Sequence, residues 1–353
     1  MRIPKFLEAS GTIGFVAPAF GCNMEPYRSG FDAAQKTFAA LGHTMILGPN
    51  CYEGSGIGIS NTPPKCGEEI NTFFAKQEVD VLLSCGGGEL MCEVLDYIDF
   101  ERIAALPPKW YMGYSDNTNL TFLLPTLCDT AAIYGPCAPA FGMRTWHPAI
   151  QDAYDLLRGN KQEIHSYPLW EKESLKTEDN PLEPYHVTEP VVLHCEPAEQ
   201  PIRMEGRLIG GCLDCLGNLV GTKYDKVKEF ADRYQEDGLI WFMEACDLNV
   251  MSIRRTLWQL SHAGWFRHVK GFLIGRPLSF GEEAFGMDQY EAVVSMLRQY
   301  EVPIVMDVDI GHLPPMLPII SGGKASVTVA DGALDIQYKF CLLYTSDAAD
   351  DSL

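Results

Sequence analysis

Ser115 is the residue with the clearest capacity for nucleophilic chemistry. It lies in the segment Gly113-Tyr114-Ser115-Asp116-Asn117, between a predicted strand and a predicted helix. A sharp strand-to-helix turn raises a serine hydroxyl above the sheet, which is the geometry of a nucleophile elbow. The usual G-x-S-x-G pattern is incomplete, because Asn117 occupies the second glycine position. From this motif alone, a helix N-cap at Ser115 or Asp116 is the simpler interpretation.

A run of three glycines, Gly86-Gly87-Gly88, follows another strand of the same predicted sheet. Glycine lets backbone N–H groups approach a ligand closely, although a tight turn explains the run equally well. The run does not fit a phosphate loop or a dinucleotide fingerprint, because neither Lys-Ser/Thr nor a correctly spaced third glycine follows. Together with Ser115, it predicts an oxyanion hole with N–H donors from Gly87 and Asp116.

A serine nucleophile also needs a base and a group that orients the base, and His312 and Glu244 are the candidates. A glycine precedes His312 and two prolines follow shortly after it, which predicts a rigid loop. Taken alone, His312 is more simply interpreted as a solvated loop histidine. Glu244 ends the apolar run 239–243, where a buried carboxylate needs a partner. A salt bridge from Glu244 to Arg254 or Arg255 is the competing explanation.

The composition predicts a globular protein with two domains. The chain has 353 residues, of which 46% are hydrophobic and 21% charged. No apolar run approaches the roughly 20 residues of a membrane helix, and the N-terminus has no signal-peptide pattern, so we expect a cytoplasmic protein. The net charge of −20 argues against nucleic acid and anionic membranes as partners.

The twelve cysteines are expected to be reduced thiols, because no secretory signal accompanies them. One pair, Cys212 and Cys215, has the C-x-x-C spacing. A zinc or redox site would need a second ligand pair or a thioredoxin-like beginning, and neither is present. We therefore expect ordinary thiols here.

The first 140 residues alternate between strand and helix patterns. Continuous apolar strands that alternate with helices indicate a parallel sheet covered on both faces. Ligands of such sheets bind beyond the carboxyl ends of the strands, where the glycine run and Ser115 both lie. The predicted strands are 12–17, 44–47, 79–84 and 110–114, and the predicted helices are 27–41, 68–76, 117–127 and one that begins at Glu89.

The second half repeats this alternation after a polar interruption. The segment 160–203 is rich in prolines and charges, which predicts a linker or extended loop, with Trp170 and Tyr185 as anchors or substrate contacts. Residues 341–353 do not continue the pattern and are expected to be a non-native tail. The predicted domains are 1–160 and 206–340, joined by 161–205. The later predicted strands are 239–243, 271–274, 304–307, 325–329 and 333–338, and the helices are 250–263 and 288–300.

Four motifs occur together in one order along the chain. Their combination resembles the LD-carboxypeptidase family of serine peptidases, which includes the microcin C self-immunity peptidases, over about residues 10–338. The resemblance implies a triad of Ser115, Glu244 and His312, with oxyanion donors from Gly87 and Asp116. The motifs are Gly113-Tyr114-Ser115-Asp116, Leu208-Ile209-Gly210-Gly211 with Gly221-Thr222, Phe242-Met243-Glu244, and Gly311-His312 with Pro315-Met316.

The resemblance also implies a fold and an activity. The expected fold is an N-terminal flavodoxin-like or amidotransferase-like α/β domain and a smaller C-terminal domain of mixed β structure. The expected protein is a cytoplasmic homodimer without metal or cofactor, which hydrolyses an amide bond near the C-terminus of a peptide such as a cell-wall muropeptide. A microcin C-like amidase acting on peptidyl- or aminoacyl-nucleotides is the alternative, and a non-catalytic peptide- or nucleotide-binding protein is a rival of another class.

Several further residues are candidates for substrate contacts. Gly86 and Gly88 flank the predicted oxyanion donor. Cys212 stands where many family members carry asparagine. Trp170 could stack on an adenine-type base or simply anchor its loop. A substrate carboxylate would suit an arginine, and the unranked candidates are Arg144, Arg203, Arg207 and Arg255.

Overall fold

The structure is a computed structural model that describes residues 1–56 and 60–340. Within these ranges, the strands form two large sheets and one two-stranded ribbon. The strands are β1 Thr12–Val16, β2 Thr44–Leu47, β3 Val81–Ser84, β4 Trp110–Gly113, β5 Ala132–Tyr134, β6 Glu163–His165, β7 Leu169–Trp170, β8 Glu189–Pro190, β9 His194–Glu196, β10 Ile202–Cys212, β11 Leu239–Glu244, β12 Val269–Gly275, β13 Ile304–Val308, β14 Ile319–Ser321, β15 Lys324–Ala330 and β16 Ala333–Tyr338.

Helices connect most of these strands, and none in the described part of the chain is long and apolar enough to cross a membrane. Short 3₁₀ helices cover Met91–Tyr97, Ser115–Asn117, Ala138–Gly142 and Arg298–Tyr300. The α-helices are α1 Tyr27–Ala40, α2 Pro63–Ala75, α3 Phe100–Ala105, α4 Thr118–Thr121, α5 Leu123–Cys128, α6 Pro148–Leu157, α7 Leu213–Leu219, α8 Val227–Arg233, α9 Val250–His262 and α10 Gln289–Leu297.

The N-terminal sheet has the order β14-β5-β4-β3-β1-β2. The four strands predicted for this part of the chain are parallel to one another and to β5, which was not predicted, and β3 and β4 are buried along their whole length. The sixth strand, β14, comes from the C-terminal part of the chain and pairs antiparallel with β5. The carboxyl ends of β3 and β4 lead directly into the glycine run and Ser115.

The C-terminal sheet has the order β6-β16-β15-β10-β11-β12-β13-β9. Its centre, β10 to β13, is parallel, and the strands on either side are antiparallel. The predicted fold class, a parallel α/β sheet followed by a mixed β-rich sheet, is therefore confirmed. Glu244 is the last residue of β11, and His312 follows β13, so both lie at the carboxyl edge of this sheet.

The segment 161–205, which the sequence suggests is a linker, contributes strands to the C-terminal sheet. Strand β6 pairs with β16, β9 pairs with β13, and β10 already begins at Ile202. Between them, β7 and β8 form the small ribbon that carries Trp170. The division into domains at 1–160, 161–205 and 206–340 stays a prediction, and the predicted tail 341–353 lies outside the described residues.

Three helices differ from their predicted extents. The predicted helix 117–127 is interrupted at Phe122, because Pro125 has no N–H to donate to Thr121 and its ring crowds that carbonyl. The helix expected from Glu89 is a 3₁₀ helix that begins at Met91, whose N–H donates to Asp116 at 2.8 Å. Helix α2 begins at Pro63, five residues earlier than predicted, because proline is accepted in the first helical turn.

Apolar packing joins the two sheets. One buried cluster contains Phe15 of the N-terminal sheet together with Ile240 and Val305 of the C-terminal sheet. On the opposite side, Phe122 stacks on Trp265 with ring centroids 5.3 Å apart and lies 6.0 Å from Trp241. The sheets therefore share their core, which holds the carboxyl ends of their strands in one position relative to each other.

Candidate active site

Ser115 occupies a strained turn directly after β4. Its φ angle is +62°, in the left-handed region that residues with a side chain rarely adopt. The turn is tight enough that a Cβ on Gly113 would lie 2.7 Å from Cγ of Asn117, which only glycine avoids. Ser115 thus has the strained strand-to-helix position that a nucleophile elbow requires, although an asparagine replaces the second glycine.

The structure brings Ser115, His312 and Glu244 into one hydrogen-bonded chain. His312 Nε2 lies 2.9 Å from Ser115 Oγ, and His312 Nδ1 lies 2.9 Å from Glu244 Oε2. Since a carboxylate only accepts hydrogen bonds, Nδ1 carries a proton, and in the neutral form of the ring Nε2 is free to accept from the serine hydroxyl. The three side chains come from loops and strand ends of both sheets.

Gly311 makes the contact between Glu244 and His312 sterically possible. Its φ angle is +107°, and a Cβ at this position would lie 2.6 Å from Glu244 Oε2. A side chain here would therefore displace the carboxylate from the imidazole. Gly311, whose position before His312 predicts a rigid loop, therefore also has this steric role.

Glu244 and His312 shift each other's pKa. Burial alone would raise the pKa of Glu244, but the charge of His312 and hydrogen bonds from His312 and Tyr134 outweigh burial and hold it below its usual value. Burial alone would lower the pKa of His312, but the Glu244 carboxylate outweighs burial and raises it, with a smaller contribution from Cys246. The pair is therefore most stable as carboxylate and imidazolium.

The competing explanation for Glu244, a salt bridge to an arginine, does not match the contacts. Glu244 forms its ion pair with His312. Arg254 donates instead to Ser295, and Arg255 donates to Ser252 at 2.9 Å on the exposed side of α9. The buried carboxylate of Glu244 is thus paired with His312, which also contacts the candidate nucleophile Ser115.

Tyr134 is a further member of the site that the sequence analysis missed. It is fully buried at the end of β5. Its hydroxyl donates to Glu244 Oε1 at 2.6 Å and accepts from the backbone N–H of Ser115 at 3.2 Å. A tyrosine that ends an apolar strand has the sequence signal of a core residue, so composition alone could not reveal this position.

The glycine run lies against the serine. A Cβ on Gly87 would lie 3.0 Å from both Cβ and Oγ of Ser115, and 3.9 Å from the N atom of Asp116. Asn117, the residue in the second glycine position, donates from Nδ2 to the carbonyl oxygen of Gly86 at 2.7 Å. The predicted oxyanion donors are thus adjacent to the nucleophile, and Asn117 ties their two loops together.

Three acidic residues, Glu89, Asp214 and Asp247, lie near one another beside His312. Burial raises the pKa of Glu89, and the charges of Asp247 and Asp214 raise it further, while His312 lowers it. Asp214 accepts hydrogen bonds from the backbone N–H groups of Cys246 and Asp247 at 3.0 and 2.9 Å, which fixes its position. The potential near His312 is therefore negative, which favours a positively charged group on a ligand.

Comparison with known proteins decides the family. The profile of the LD-carboxypeptidase N-terminal domain matches residues 13–135, and that of the LD-carboxypeptidase C-terminal domain matches residues 205–327. The chain belongs to the LD-carboxypeptidase family. This membership makes the protein a peptidase, and hence a hydrolase. The family resemblance that the four motifs predict is confirmed.

Relatives of this LD-carboxypeptidase extend over nearly its whole length. The microcin C7 self-immunity protein MccF of Escherichia coli is 25% identical over 335 residues, which cover 91% of each chain. A Bacillus subtilis protein named "Probable murein peptide carboxypeptidase" is 26% identical over 336 residues, which cover 93% of this chain and 92% of its own. These names contain both of the substrate classes that the sequence resemblance leaves open.

Solved structures agree on the fold. An MccF-like protein from Bacillus anthracis superposes with a TM-score of 0.81 at 22% identity, covering 96% of this chain and all of its own. MccF in complex with aspartyl sulfamoyl adenosine superposes with a TM-score of 0.79 at 20% identity, covering 96% and 99% of the two chains. The predicted two-part architecture of this LD-carboxypeptidase is thus a known fold.

The other predicted contacts of the LD-carboxypeptidase lie at different distances from the triad. Cys212 is buried, and its Sγ lies 3.2 Å from Asp214, close enough to Glu244 for its hydrogen bond to lower that residue's pKa. Gly86 and Gly88 flank the residue that meets Ser115. Arg255 is exposed and engaged within α9. None of the contacts of Arg255 in the described part of the chain reaches the triad.

Trp170 is 5% exposed and is held in place by its neighbours. Its indole donates to the carbonyl oxygen of Pro190 at 3.2 Å, and its ring packs on Phe280 and over the guanidinium of Arg276. It forms one wall of a cavity of about 260 Å³ that His194 also lines. These contacts make it an anchor of its ribbon.

The other candidate arginines have partners of their own. Arg144 pairs with Glu183 at 3.4 Å, and Arg207 pairs with Asp237 at 2.8 Å. Arg203 is exposed on β10. Within residues 1–56 and 60–340, no group of three or more His, Cys, Asp and Glu side chains is arranged to hold a metal ion.

Proposed function

We propose that the protein is a serine-type carboxypeptidase that uses Ser115 as its nucleophile, His312 as its base and Glu244 as the group that orients the base. The observation that carries this proposal is the unbroken chain from Ser115 Oγ through His312 to Glu244, with both contacts at 2.9 Å. The strained backbone of Ser115 gives further support, because elbow nucleophiles are held in this way.

The mechanism follows from this chain. Ser115 Oγ attacks the scissile carbonyl carbon while His312 Nε2 accepts its proton. The imidazolium then protonates the leaving amine, and the acyl group remains on Ser115 as an ester. His312 next removes a proton from water, which attacks the ester and releases the acid and free Ser115. Glu244 stabilises the imidazolium in both halves of the reaction.

The oxyanion is the remaining charge to be stabilised. Gly87 and Asp116 are the proposed donors, since both lie next to the nucleophile and a backbone N–H needs no rotation to reach the developing charge. Each such donor contributes about 3 kcal/mol to the stabilisation of the transition state. Gly86 and Gly88 would give the loop the freedom to present Gly87.

We further propose a peptide substrate that is cleaved near its C-terminus, such as the L,D bond of a cell-wall muropeptide. The murein peptide carboxypeptidase name of a relative supports this choice. The negative potential from Glu89, Asp214 and Asp247 would suit a free amino group on such a peptide.

A second candidate is an amidase that acts on a peptidyl- or aminoacyl-nucleotide. It is favoured by the relative named for microcin self-immunity and by Trp170, which lines a cavity of about 260 Å³. Against it, the carboxylates near His312 would repel a phosphate group. We propose a cytoplasmic homodimer in either case, following the family resemblance, and light scattering on the purified protein tests the dimer.

Substitution of Ser115 by Ala tests the proposal. The wild-type protein is expected to release the terminal amino acid from a muropeptide tetrapeptide faster than it cleaves an aminoacyl-sulfamoyl adenosine. S115A is expected to lose at least 1000-fold in turnover, on the order of what loss of a nucleophile costs. If folded S115A retains turnover, Ser115 is not the nucleophile. If the nucleotide conjugate is cleaved faster, the second candidate is correct, and no turnover of either would favour a non-catalytic binding protein.

A further inference from the structure

Tyr134 closes the candidate triad into a ring. Its hydroxyl donates to Glu244 Oε1 at 2.6 Å and accepts from the N–H of Ser115 at 3.2 Å. Glu244 Oε2 contacts His312 at 2.9 Å, and His312 contacts Ser115 Oγ at 2.9 Å. Starting from the backbone of Ser115, the hydrogen bonds therefore return to the side chain of the same residue.

We propose that Tyr134 is a positioning residue that sets the orientation of the Glu244 carboxylate and the backbone of Ser115 at the same time. The proposal rests on the serine peptidase function proposed above. It adds a fourth side chain to the three that the family motifs contain, and this side chain acts through Glu244 and Ser115 without touching the reacting atoms.

The directions of the two hydrogen bonds follow from the chemistry of the groups. A phenol has one proton, and Glu244 can only accept, so the proton of Tyr134 points at Oε1. The oxygen of Tyr134 then accepts from the N–H of Ser115. Burial and the Glu244 charge both raise the pKa of Tyr134, so its hydroxyl stays protonated. The phenol is therefore a permanent donor to the carboxylate.

The carboxylate gains a fixed rotation from this bond. Each oxygen of Glu244 has a strong partner, with Tyr134 on one side and His312 on the other. Without the phenol, only the imidazole would hold the carboxylate, and the carboxylate plane could turn away from Nδ1. A base in the wrong orientation loses its ability to accept the serine proton.

The backbone of Ser115 gains support for its strained conformation. Its φ angle of +62° has a cost, which persists only where neighbouring groups hold the turn. The bond to Tyr134 also occupies the N–H of Ser115, which leaves oxyanion stabilisation to other amides such as those of Gly87 and Asp116. The ring of Tyr134 is itself fixed by Phe242, with centroids 5.5 Å apart.

The position of Tyr134 also connects the two sheets. It ends β5 of the N-terminal sheet, whereas Glu244 ends β11 of the C-terminal sheet. The hydrogen bond between them thus crosses the boundary on which the triad depends. A single rigid side chain thus sets the distance between β5, which pairs with the strand before Ser115, and β11, which carries Glu244.

The test is Tyr134→Phe, which keeps the ring and removes only the hydroxyl. We expect kcat to fall roughly tenfold to a hundredfold, the range for a hydrogen bond to a charged group, with KM little changed. The acid limb of the profile of log kcat/KM against pH should move to higher pH. Without the hydrogen bond from the phenol, more of the negative charge of Glu244 acts on His312, and this raises the pKa of His312 further.

Tyr338→Phe is the matched control. Tyr338 is also fully buried, and its hydroxyl also accepts a backbone N–H, from Ile320 at 3.1 Å, and donates to a carbonyl oxygen, of Pro318 at 3.1 Å. It lies outside the triad. Its variant should lose a similar amount of thermal stability but keep the wild-type kcat and the wild-type acid limb.

Fluorotyrosine at position 134 covers the case in which the phenylalanine variant does not fold. A fluorinated phenol is a stronger donor, so the acid limb should move to lower pH. The inference is overturned if folded Y134F keeps kcat within about twofold of the wild type and an unmoved limb, since one lost hydrogen bond to a charge should exceed that change. It is equally overturned if fluorotyrosine leaves the limb in place. If S115A is active, the proposed function fails instead, which separates the two failures.

Discussion

At the scale of single residues, the charge on Glu244 controls how His312 can act. The carboxylate is shielded from water, and His312 and Tyr134 satisfy its oxygens in place of solvent. The same carboxylate raises the pKa of His312 above the ordinary 6.5. An imidazole with a raised pKa is a stronger base, but it is available as a base only at a pH high enough to remove its proton.

This pair predicts the pH dependence of the reaction. Because His312 must be neutral to accept the serine proton, log kcat/KM should rise with pH and reach its plateau only above pH 6.5. Glu244→Gln removes the charge that raises the pKa of His312, so the acid limb should move to lower pH. The plateau should fall by on the order of 10³ to 10⁴, as when an acid that orients a histidine is neutralised.

The measurement is a set of kcat/KM values between pH 5 and 10 for both proteins, with circular dichroism at each pH. If the acid limb of the E244Q profile stays at the wild-type pH, Glu244 does not raise the pKa of His312. A limb that moves to higher pH would contradict the sign of the interaction.

The candidate residues differ in how clearly their residue types indicate a functional role in the sequence. Ser115, Glu244 and His312 are polar groups at strand ends or in loops, so their chemistry is visible in the sequence. Tyr134 ends a strand of apolar residues, and nothing local separates it from a core tyrosine. Trp170 was predicted as an anchor or a base-stacking residue, and its contacts with Pro190 and Arg276 account for the anchor role. Roles in catalysis stay predictions for all of them.

At the scale of elements, the turn between β4 and α4 positions Ser115 against the glycine loop 86–88. Asn117 replaces the glycine of the usual elbow and bonds to the carbonyl oxygens of Gly86 and Tyr114, at 2.7 and 3.0 Å. A second glycine would give room at this turn but could not bridge to the glycine loop. The departure from the motif therefore supplies a link between the nucleophile and the loop that carries the predicted oxyanion donor.

Asn117→Ala tests this link. We expect kcat to fall roughly tenfold or more with little change in KM, because the loss of the side-chain hydrogen bonds to Gly86 and Tyr114 lets the glycine loop move relative to Ser115. Steady-state kinetics on the muropeptide give both values. Asn71→Ala is the control, since Asn71 also donates from Nδ2 to a carbonyl oxygen, of Tyr97 at 2.8 Å, but lies away from the site. Equal effects of the two substitutions on kcat would refute the link.

Strands with strong local patterns were predictable, and elements defined by distant partners were not. The buried strands β3, β4 and β11 lie within one or two residues of their predicted bounds, because continuous apolar sequence is a local signal. Strands β6 and β9 lie in a polar segment and exist through pairing with β16 and β13, more than 100 residues away along the chain. Their sequences alone favour a linker.

At the scale of the whole molecule, the relative position of the two sheets sets the distance from Ser115 to His312. Ser115, the proposed nucleophile, follows a strand of one sheet, while Glu244 ends and His312 follows a strand of the other. Shared core packing, such as the stack of Phe122 on Trp265 at 5.3 Å, holds that position. Catalytic competence is thus a property of the assembled pair of sheets, which no segment of the sequence contains by itself.

Phe122→Ala tests this dependence. Removal of a buried phenylalanine should lower the free energy of unfolding by about 3–5 kcal/mol, and kcat/KM of the folded protein should also fall, because the sheets lose a contact that aligns them. The matched control is Phe272→Ala, which removes a buried ring that packs on Phe266 and Tyr300 within the C-terminal half. It should cost similar stability in urea unfolding and leave kcat/KM unchanged. An unchanged kcat/KM in both variants would contradict the alignment role.

The most direct test of the central claim is covalent labelling of Ser115 with a fluorophosphonate, which reacts with activated serines. The predicted result is one added phosphonyl group per chain in the intact mass, located on the peptide that contains Ser115. Labelling should be lost in S115A and strongly slowed in a variant with His312→Ala. An unlabelled wild-type protein that is demonstrably folded, or a label on another serine, would contradict the assignment of Ser115 as the nucleophile.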